Sequence, residues 1–206
     1  MSKNDDLTVR NFGCRLNALD GDHIRDAATK AGLAQATIIN SCAVTSEAVR
    51  QARQAVRKAA KAKPETPIIV TGCAAQTDGD AFAAMPEVSQ VLGNEEKFFA
   101  ASYASQNTHQ AETLENTKAL QVSDIMEITR AVPRSNVPQQ SRARAFVQVQ
   151  TGCDHRCTFC IIPFGRGNSR STPITEVVKN CQTLVSSGHR EIVLTGVDIT
   201  SWGGDL

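Results

Sequence analysis

Short apolar runs rich in β-branched residues alternate with helix-like stretches along the first half of the chain. The runs are LTVRNF, ATIINS, TPIIVTG and VSQVLG. Each is followed by a segment in which apolar residues recur at helical spacing. Alternation of this kind is typical of βα units around a largely parallel sheet. We therefore predict an α/β fold, with residues 1–103 forming a compact N-terminal domain.

The ends of the first two predicted helices carry recognisable signals. The apolar face of the first comprises Ala18, His23, Ile24, Ala27, Ala28 and Ala31. Gly32 follows as a helix stop, the second helix begins at the capping residue Thr45 or Ser46, and Pro64 ends it. The stretches DGDAFAAMP and EEKFFAASYA follow the third and fourth strands. The domain is thus expected to be Rossmann- or flavodoxin-like.

A polar segment separates this domain from a second α/β unit. Residues 104–142 contain Pro133 and Pro138 and show little periodicity, so we interpret them as a linker with one strand around Ile125 to Ala131. In residues 143–206, RAFVQVQTG and REIVLTGVDIT are predicted strands, and TPITEVVKNCQTLVSSG is the helix between them. One helix and two strands cannot close a barrel. We therefore expect the chain to end within its second domain and to be inactive by itself.

Composition indicates a soluble protein of the reducing cytoplasm. The chain has 206 residues, 41% of them hydrophobic, and a formal net charge of +1. No apolar run is long enough for a membrane span, and the polar start MSKNDDLTVR does not fit a secretory signal peptide. In that compartment cysteines ligate metals or do chemistry more often than they form disulfides.

One of the seven cysteines belongs to a core stripe. Cys181 lies on the helix of the second unit among residues with i, i+3, i+4, i+7 spacing, namely Ile174, Val177, Val178, Leu184 and Val185. Free cysteine packs well as a small buried apolar side chain. We therefore exclude Cys181 from the candidate sites.

Cys153, Cys157 and Cys160, here called the loop triad, have C-x3-C-x2-C spacing. The same spacing could describe one face of a helix. Flanking glycines and Pro163 favour a loop curled around a metal instead. A closed zinc site needs four ligands, and His155 lies in the same short loop, where it is poorly placed to be the fourth. Three thiolates on a four-iron cluster would leave one iron open to a substrate or cofactor.

Cys14, Cys42 and Cys73, here called the N-terminal triad, each follow a predicted strand, in NFGC, INSC and VTGC. The carboxyl ends of parallel strands meet at one edge of a sheet, where α/β folds bind ligands. Any one of these cysteines could be an ordinary buried residue. Their recurrence at the same position predicts a second metal site with three ligands.

The loop triad, with Phe159 before its last cysteine, resembles the radical S-adenosylmethionine superfamily. The segments GCRLNALDGD, NSCAVTSEA, VTGCAAQ and GCDHRCTFCIIPFGRG together resemble its methylthiotransferase family. This resemblance implies a partial βα barrel after the N-terminal domain. It also implies two [4Fe-4S] clusters: an auxiliary one on Cys14, Cys42 and Cys73, and a radical-generating one on Cys153, Cys157 and Cys160. S-adenosyl-L-methionine would bind the second cluster, and Phe159 would help to place its adenine.

The resemblance implies that methylthio groups are transferred to one of three substrates. GCRLN and LTGVDITSWG resemble the branch that modifies threonylcarbamoyladenosine 37 in the tRNA anticodon loop. Isopentenyladenosine in tRNA and a ribosomal-protein aspartate are the alternatives. The implied partners are tRNA and an electron-donor protein, with the enzyme acting as a monomer. A non-catalytic RNA-binding protein that holds zinc in both triads is a further alternative.

Local charge is compatible with RNA. The basic residues fall into three groups: Arg50, Arg53, Arg57, Lys58, Lys61 and Lys63; Arg130, Arg134, Arg142 and Arg144; and Arg156, Arg166 and Arg170. Such patches supply phosphate contacts without base specificity. A solvated helix face explains the first group equally well.

Overall fold

A computed structural model describes residues 6–104, 119–131, 139 and 143–206. The elements of the first part are β1 (Asp6–Asn11), α1 (Arg15–Lys30), β2 (Gln35–Ser41), α2 (Ser46–Ala62), β3 (Ile68–Gly72), α3 (Cys73–Thr77), α4 (Gly79–Ala83), β4 (Gln90–Leu92), α5 (Ala101–Ala104) and β5 (Ala119–Gln121). The second part contains β6 (Ala145–Gln148), β7 (Gln150–Thr151), α6 (Ile162–Arg166), β8 (Arg170–Ser171), α7 (Ile174–Ser186) and β9 (Ile192–Thr195).

The first five strands form one parallel sheet in the order β1-β2-β3-β4-β5. Ile38 and Ile69 are paired neighbours on one face, where they join the core beneath α1. Ile39 and Val70 are paired on the other face and join the core beneath α2. Alternate side chains of each strand are thus buried on opposite sides. The predicted parallel sheet of βα units is confirmed.

Capping residues begin α2 and end α1 where the sequence predicts. The hydroxyl of Thr45 accepts a hydrogen bond from the Ala48 N–H at 3.1 Å, which caps α2. Gly32, with φ of +77°, follows the last turn of α1. The buried face of α1 differs from the predicted stripe, because Ala18, His23 and Ala31 are only half-buried. Leu16 and Leu19, which the stripe omitted, are buried.

The predicted linker strand is wrong in position. The strand lies at Ala119–Gln121, where it pairs with β4 as the fifth strand of the sheet, and Ile125–Glu127 is a 3-10 turn. Part of the segment interpreted as a linker therefore completes the first sheet. Four residues named for this segment lie outside the described residues: Pro133, Pro138, and Arg134 and Arg142 of the predicted basic group.

The second unit begins a new parallel sheet. Strands β6 and β9 pair in parallel from Ala145 with Ile192 to Gln148 with Thr195. The predicted strand RAFVQVQTG is divided at Val149, because Gln150 and Thr151 pair antiparallel with β8 instead. This turn away from the sheet carries the chain into the loop triad.

A small core holds α7 onto β6. It consists of Ala145, Val147, Val149, Val177 and Leu184, with Cys181 packed against it. The rest of the predicted stripe is exposed at Ile174, Val178 and Val185. Cys181 thus belongs to this core and to neither candidate site.

Among the described residues, no helix combines the length and the apolar character that a membrane span requires.

Candidate functional site

The carboxyl edge of the first sheet brings the N-terminal triad together. Cys14 directly precedes α1, Cys42 follows β2, and Cys73 is the first residue of α3. All three line a single cavity of about 590 Å³. Cys14 is exposed, whereas Cys42 and Cys73 are buried. The three thiols therefore converge on one cavity wall, as expected for strand-end residues of a parallel sheet.

Two glycines allow this close approach. Gly13 has φ of +93°, and a Cβ atom placed there would lie 2.5 Å from the Cys42 Sγ. Gly165 belongs to α6 in the second unit, and a Cβ atom there would lie 3.1 Å from the Cβ of Cys73. Side chains at either position would displace a cysteine of the triad.

The thiols of the N-terminal triad interact electrostatically. Burial raises the pKa of Cys42, and the charges of Cys73 and Cys14 raise it further, against the opposing effects of the Val44 backbone and Arg166. Metal ions bind thiolates, so loading this site must release protons. Three soft sulfur donors beside a cavity suit zinc or an iron-sulfur cluster.

Much of the rest of the cavity lining comes from the second unit. Ile161 and Ile162 follow directly after the loop triad, and the other contributors are Leu194, Thr195, Gly196, Val197 and Ile199. The cavity therefore lies between the N-terminal triad and the segment that carries the loop triad. Its mostly apolar walls would restrict water, and its volume is in the range of ligand pockets.

The loop triad lies in a loop and not on a helix, which excludes the helix-face alternative. Residues 152–160 contain a turn at 158–159 and no helix. Cys153 is buried, Cys160 is half-buried and Cys157 is exposed. The Cys160 N–H donates to the Cys157 carbonyl at 3.0 Å. Phe159 is 92% exposed, which leaves its ring accessible to a ligand.

Gln150, which the sequence analysis missed, organises the base of this loop. Its buried amide group donates to the Gly152 carbonyl at 2.8 Å and to the Ser169 hydroxyl at 2.9 Å. Its amide oxygen accepts from the N–H groups of Val197 at 3.0 Å and Asp198 at 2.9 Å. One side chain thus ties the start of the loop to the turn that follows β9.

Arg156 stabilises the loop from within. Its guanidinium donates to the Cys153 carbonyl at 2.9 Å and to the Asn168 side-chain oxygen at 2.5 Å. The Cys153 N–H donates to the Gly167 carbonyl at 3.1 Å. Both contacts hold Cys153 in place, while Cys157 is exposed to solvent and Cys160 is half-buried.

Within the part of the chain that the structure describes, one group of side chains has its ligand atoms close enough together to bind a single metal ion. It consists of Cys153, His155 and Asp198. Their ligand atoms lie within 4.8 Å of one another, and the His155 Nε2 is 3.3 Å from an Asp198 oxygen. A tetrahedral zinc ion with Zn–S bonds of about 2.3 Å would hold three sulfurs about 3.8 Å apart. Among the described residues, neither triad forms such a set.

Buried charges meet beside the N-terminal triad. The Arg166 guanidinium lines the cavity and donates to Asp20 at 3.0 Å, and the Lys97 ammonium donates to the same carboxylate at 2.8 Å. Burial opposes the positive charge of Arg166, but Cys73, Asp20 and Cys14 outweigh it and raise its pKa above its usual range. The three charged residues are at most 6% exposed.

The basic group around the loop triad is not the phosphate-binding surface that the sequence predicts. Arg166 and Arg170 are buried, with 6% and 4% of their surface exposed. Arg156 is occupied by the loop backbone, and Arg144 pairs with Glu191. Exposed basic residues are found on α2 instead, where Arg50 and Arg57 line a surface cavity of about 510 Å³ together with the half-buried Arg53.

Comparisons with known proteins divide the chain in the same way as the fold. Residues 6–93 match the family described as "Uncharacterized protein family UPF0004", and residues 147–204 match the Radical SAM superfamily. The chain also resembles the structure of the radical S-adenosylmethionine methyltransferase TsrM from Kitasatospora setae. That match has a TM-score of 0.49 and 13% identity, and covers 90% of this chain and 42% of that one.

Curated relatives match nearly the whole chain. The threonylcarbamoyladenosine tRNA methylthiotransferase MtaB of Rickettsia prowazekii is 46% identical over 195 residues, covering 95% of this chain and 44% of the relative. The protein of the same name from Bacillus subtilis is 35% identical, covering 97% and 45%. The tRNA-2-methylthio-N(6)-dimethylallyladenosine synthase of Zymomonas mobilis is 28% identical, covering 96% and 44%.

The chain spans less than half the length of these relatives. Within that length, a UPF0004 domain precedes a Radical SAM domain, and each contributes one wall of the cavity at the N-terminal triad. The chain thus carries a UPF0004 domain followed by a Radical SAM domain, and nearly its whole length is similar to curated tRNA methylthiotransferases.

Proposed function

We propose that this chain supplies the two metal centres of a tRNA methylthiotransferase that acts on threonylcarbamoyladenosine. The observation that carries the proposal is the cavity between the two units. Its first wall holds three thiols on separate βα units, and its second wall begins at the residue after Cys160. The N-terminal triad and the segment carrying the loop triad therefore face a common space of ligand size.

Each triad would hold one four-iron cluster. Cys14, Cys42 and Cys73 would hold the auxiliary cluster, and Cys153, Cys157 and Cys160 would hold the other. A four-iron cluster with one iron free of protein ligands, together with bound S-adenosyl-L-methionine, supplies the electron and the radical chemistry. The exposed ring of Phe159 is available to stack on the adenine of that cofactor.

The protein's own residues prepare the space for this chemistry. Gln150 and Arg156 orient the loop triad, and the apolar side chains of Ile161, Ile162 and Val197 restrict water at the cavity wall. Reactive intermediates are protected when water is excluded from the site. This arrangement supports a reaction in which atoms pass between two nearby centres without release to solvent.

The substrate assignment is supported by relatives and by charge. Two of the relatives described above carry the threonylcarbamoyladenosine name, at 46% and 35% identity, whereas the one named for dimethylallyladenosine is 28% identical. The exposed cations on α2 would supply phosphate contacts for RNA. Chemistry on a base also requires that the base leave its stack. Isopentenyladenosine in tRNA and a ribosomal-protein aspartate are the alternative substrates.

The remaining partners follow from the chemistry. The radical-forming centre requires an electron donor protein, and tRNA places the reaction in the cytoplasm. We expect the protein to act as a monomer, since both triads and the cavity belong to one chain.

Mass analysis of tRNA nucleosides tests the proposal. We expect cells that lack the gene to lose methylthio-threonylcarbamoyladenosine while keeping threonylcarbamoyladenosine. The intact gene should restore it, and genes with Cys14→Ala or Cys153→Ala should not. Loss of the isopentenyl derivative instead would identify the other tRNA substrate. Unchanged nucleosides, together with loss of methylthio-aspartate from a ribosomal protein, would contradict the tRNA assignment.

A further inference from the structure

The short helix α6 connects the two triads physically. It begins at Ile162, two residues after Cys160, and ends at Arg166. Near its carboxyl end Gly165 packs against Cys73, close enough that a Cβ would meet the Cys73 Cβ at 3.1 Å. The segment that follows the loop triad is therefore in direct contact with the N-terminal triad.

Arg166 crosses from the second unit into the buried interior of the first. Its guanidinium donates to the Asn17 side-chain oxygen at 2.6 Å and to Asp20 at 3.0 Å. Both acceptors lie on α1, the helix that Cys14 precedes. The guanidinium also lines the cavity together with all three cysteines of the N-terminal triad.

A second cation shares the same carboxylate. The Lys97 ammonium is fully buried and donates to Asp20 at 2.8 Å and to the Asn94 side-chain oxygen at 2.6 Å. The amide group of Asn94 in turn donates to the Cys73 sulfur at 3.5 Å and to the Gly165 carbonyl. One carboxylate therefore faces two buried cations: Lys97 is linked to Cys73 through Asn94, and Arg166 lines the cavity beside the triad.

Charges buried in this way need compensation. An ion removed from water is costly unless it is paired and hydrogen-bonded. A four-iron cluster held by three thiolates carries net negative charge, and nearby positive charge and hydrogen bonds to its sulfurs determine its reduction potential. The position of Arg166 matches that requirement at the cavity wall.

We propose that Arg166 tunes the auxiliary cluster electrostatically. Its guanidinium, which belongs to the radical domain, balances the negative charge of that cluster. This inference rests on the proposed function, because it requires a cluster on Cys14, Cys42 and Cys73. Its consequence is that removal of the charge lowers the reduction potential of that cluster. Replacement by another cation largely preserves the potential.

The test uses a chain in which only the N-terminal triad can bind iron. The parent carries Cys153→Ala, Cys157→Ala and Cys160→Ala, and receives Arg166→Met or Arg166→Lys in addition. Arg144→Met is the matched control, because Arg144 is exposed and pairs with Glu191 at the surface. Iron and sulfide content, circular dichroism and the midpoint potential from an anaerobic redox titration are measured for each protein.

We expect Arg166→Met to shift the midpoint potential to more negative values. Arg166→Lys should shift it less, and Arg144→Met should leave it unchanged. If Arg166→Met fails to fold or to bind iron, recovery of both by Arg166→Lys supports the inference, and failure of both variants alike contradicts it. Equal potentials in all four proteins would also overturn it. A parent that binds no iron would instead refute the proposed function.

Discussion

Gly13 is the residue that permits the closest contact within the N-terminal triad. Its φ of +93° lies in the left-handed region, and the space where a side chain would project is filled by the Cys42 sulfur. Backbone strain and steric conflict therefore act together at this position. Gly188 has the same conformation, with φ of +94°, but no neighbour within 4 Å of an added Cβ.

We expect Gly13→Ala and Gly188→Ala to be destabilised similarly by backbone strain, by about 1–3 kcal/mol. Only Gly13→Ala should also lose iron from the N-terminal triad, because its methyl group displaces Cys42. Urea unfolding and iron content of the two variants provide the comparison. Full iron content in Gly13→Ala would show that the contact is not required.

The raised pKa of Cys42 predicts how the metal-free chain responds to pH. Burial favours the neutral thiol, so the folded state holds its proton to higher pH than the unfolded state does. The contribution of Cys42 to stability is fully present below the pKa of the unfolded thiol, about 8.5, and is lost as pH rises above it.

We therefore expect the free energy of unfolding of the metal-free chain to fall more steeply above about pH 8.5 than that of Cys42→Ser. The difference between the two proteins isolates Cys42 from the other titrating groups. Parallel pH profiles measured by chemical denaturation under reducing conditions would contradict the assignment.

At the scale of elements, the turn after β9 and the loop triad depend on the same buried glutamine. Gln150 satisfies four backbone groups and one hydroxyl, although a Gln in a predicted strand gives no sequence signal of this role. A buried polar group that loses its partners costs about 1–3 kcal/mol. The neighbouring Gln148 is also buried, but its amide oxygen has no partner among the described groups.

We expect Gln150→Leu to lower stability by about 1–3 kcal/mol and to reduce iron at the loop triad. Gln148→Leu should have a smaller effect on both. Thermal unfolding and iron content of Cys14→Ala/Cys42→Ala/Cys73→Ala chains that carry either substitution measure the effect at that triad. A larger iron loss in Gln148→Leu would show that Gln150 does not organise the loop.

Helix α2 shows how pairing limits a basic patch. Arg50 makes two hydrogen bonds to Glu47, and Arg53 pairs with Asp78 while lying over the Phe82 ring. Arg57, in contrast, is exposed beside them in the same surface cavity. The net charge of α2 therefore overstates the number of its arginines that are free to contact phosphate.

We expect Arg57→Ala to weaken binding of an anticodon stem-loop RNA and to lower the slope of log affinity against log salt by about 1. Arg144→Ala, which removes an arginine already paired with Glu191, should change the slope less. Fluorescence anisotropy at several salt concentrations provides the measurement. Equal slopes for the two variants would exclude α2 as a contact surface.

The order of elements within the sheet was not predictable from periodicity. Strands β1, β2 and β3 lie in chain order, while α1 and α2 cover opposite faces. The two successive crossovers therefore differ in handedness, although βα crossovers are nearly always right-handed. The position of β5 was also not predicted. The strand has only three residues between polar segments, too few to show the alternation of apolar and polar residues that marks a strand.

At the scale of the whole molecule, the sequence pattern predicted that the N-terminal triad gathers at one edge of the sheet. It did not predict the interface between the two units. Cys14, Cys42 and Cys73 could be placed at one edge because every parallel strand ends there. The burial of Asp20 and Arg166 could not be predicted, since a charged residue on a helix ordinarily faces solvent. Their burial follows from the packing of α6 against α3, from which the Arg166 side chain reaches Asp20 on α1, far away in the chain.

The central claim is that each triad holds its own four-iron cluster. Iron, acid-labile sulfide and zinc are measured in anaerobically reconstituted chains with both triads, with Cys14→Ala/Cys42→Ala/Cys73→Ala, and with Cys153→Ala/Cys157→Ala/Cys160→Ala. We predict about eight irons with matching sulfide in the first and about four in each variant. Colourless protein with stoichiometric zinc, or loss of all iron from either variant while it remains folded, would contradict the claim.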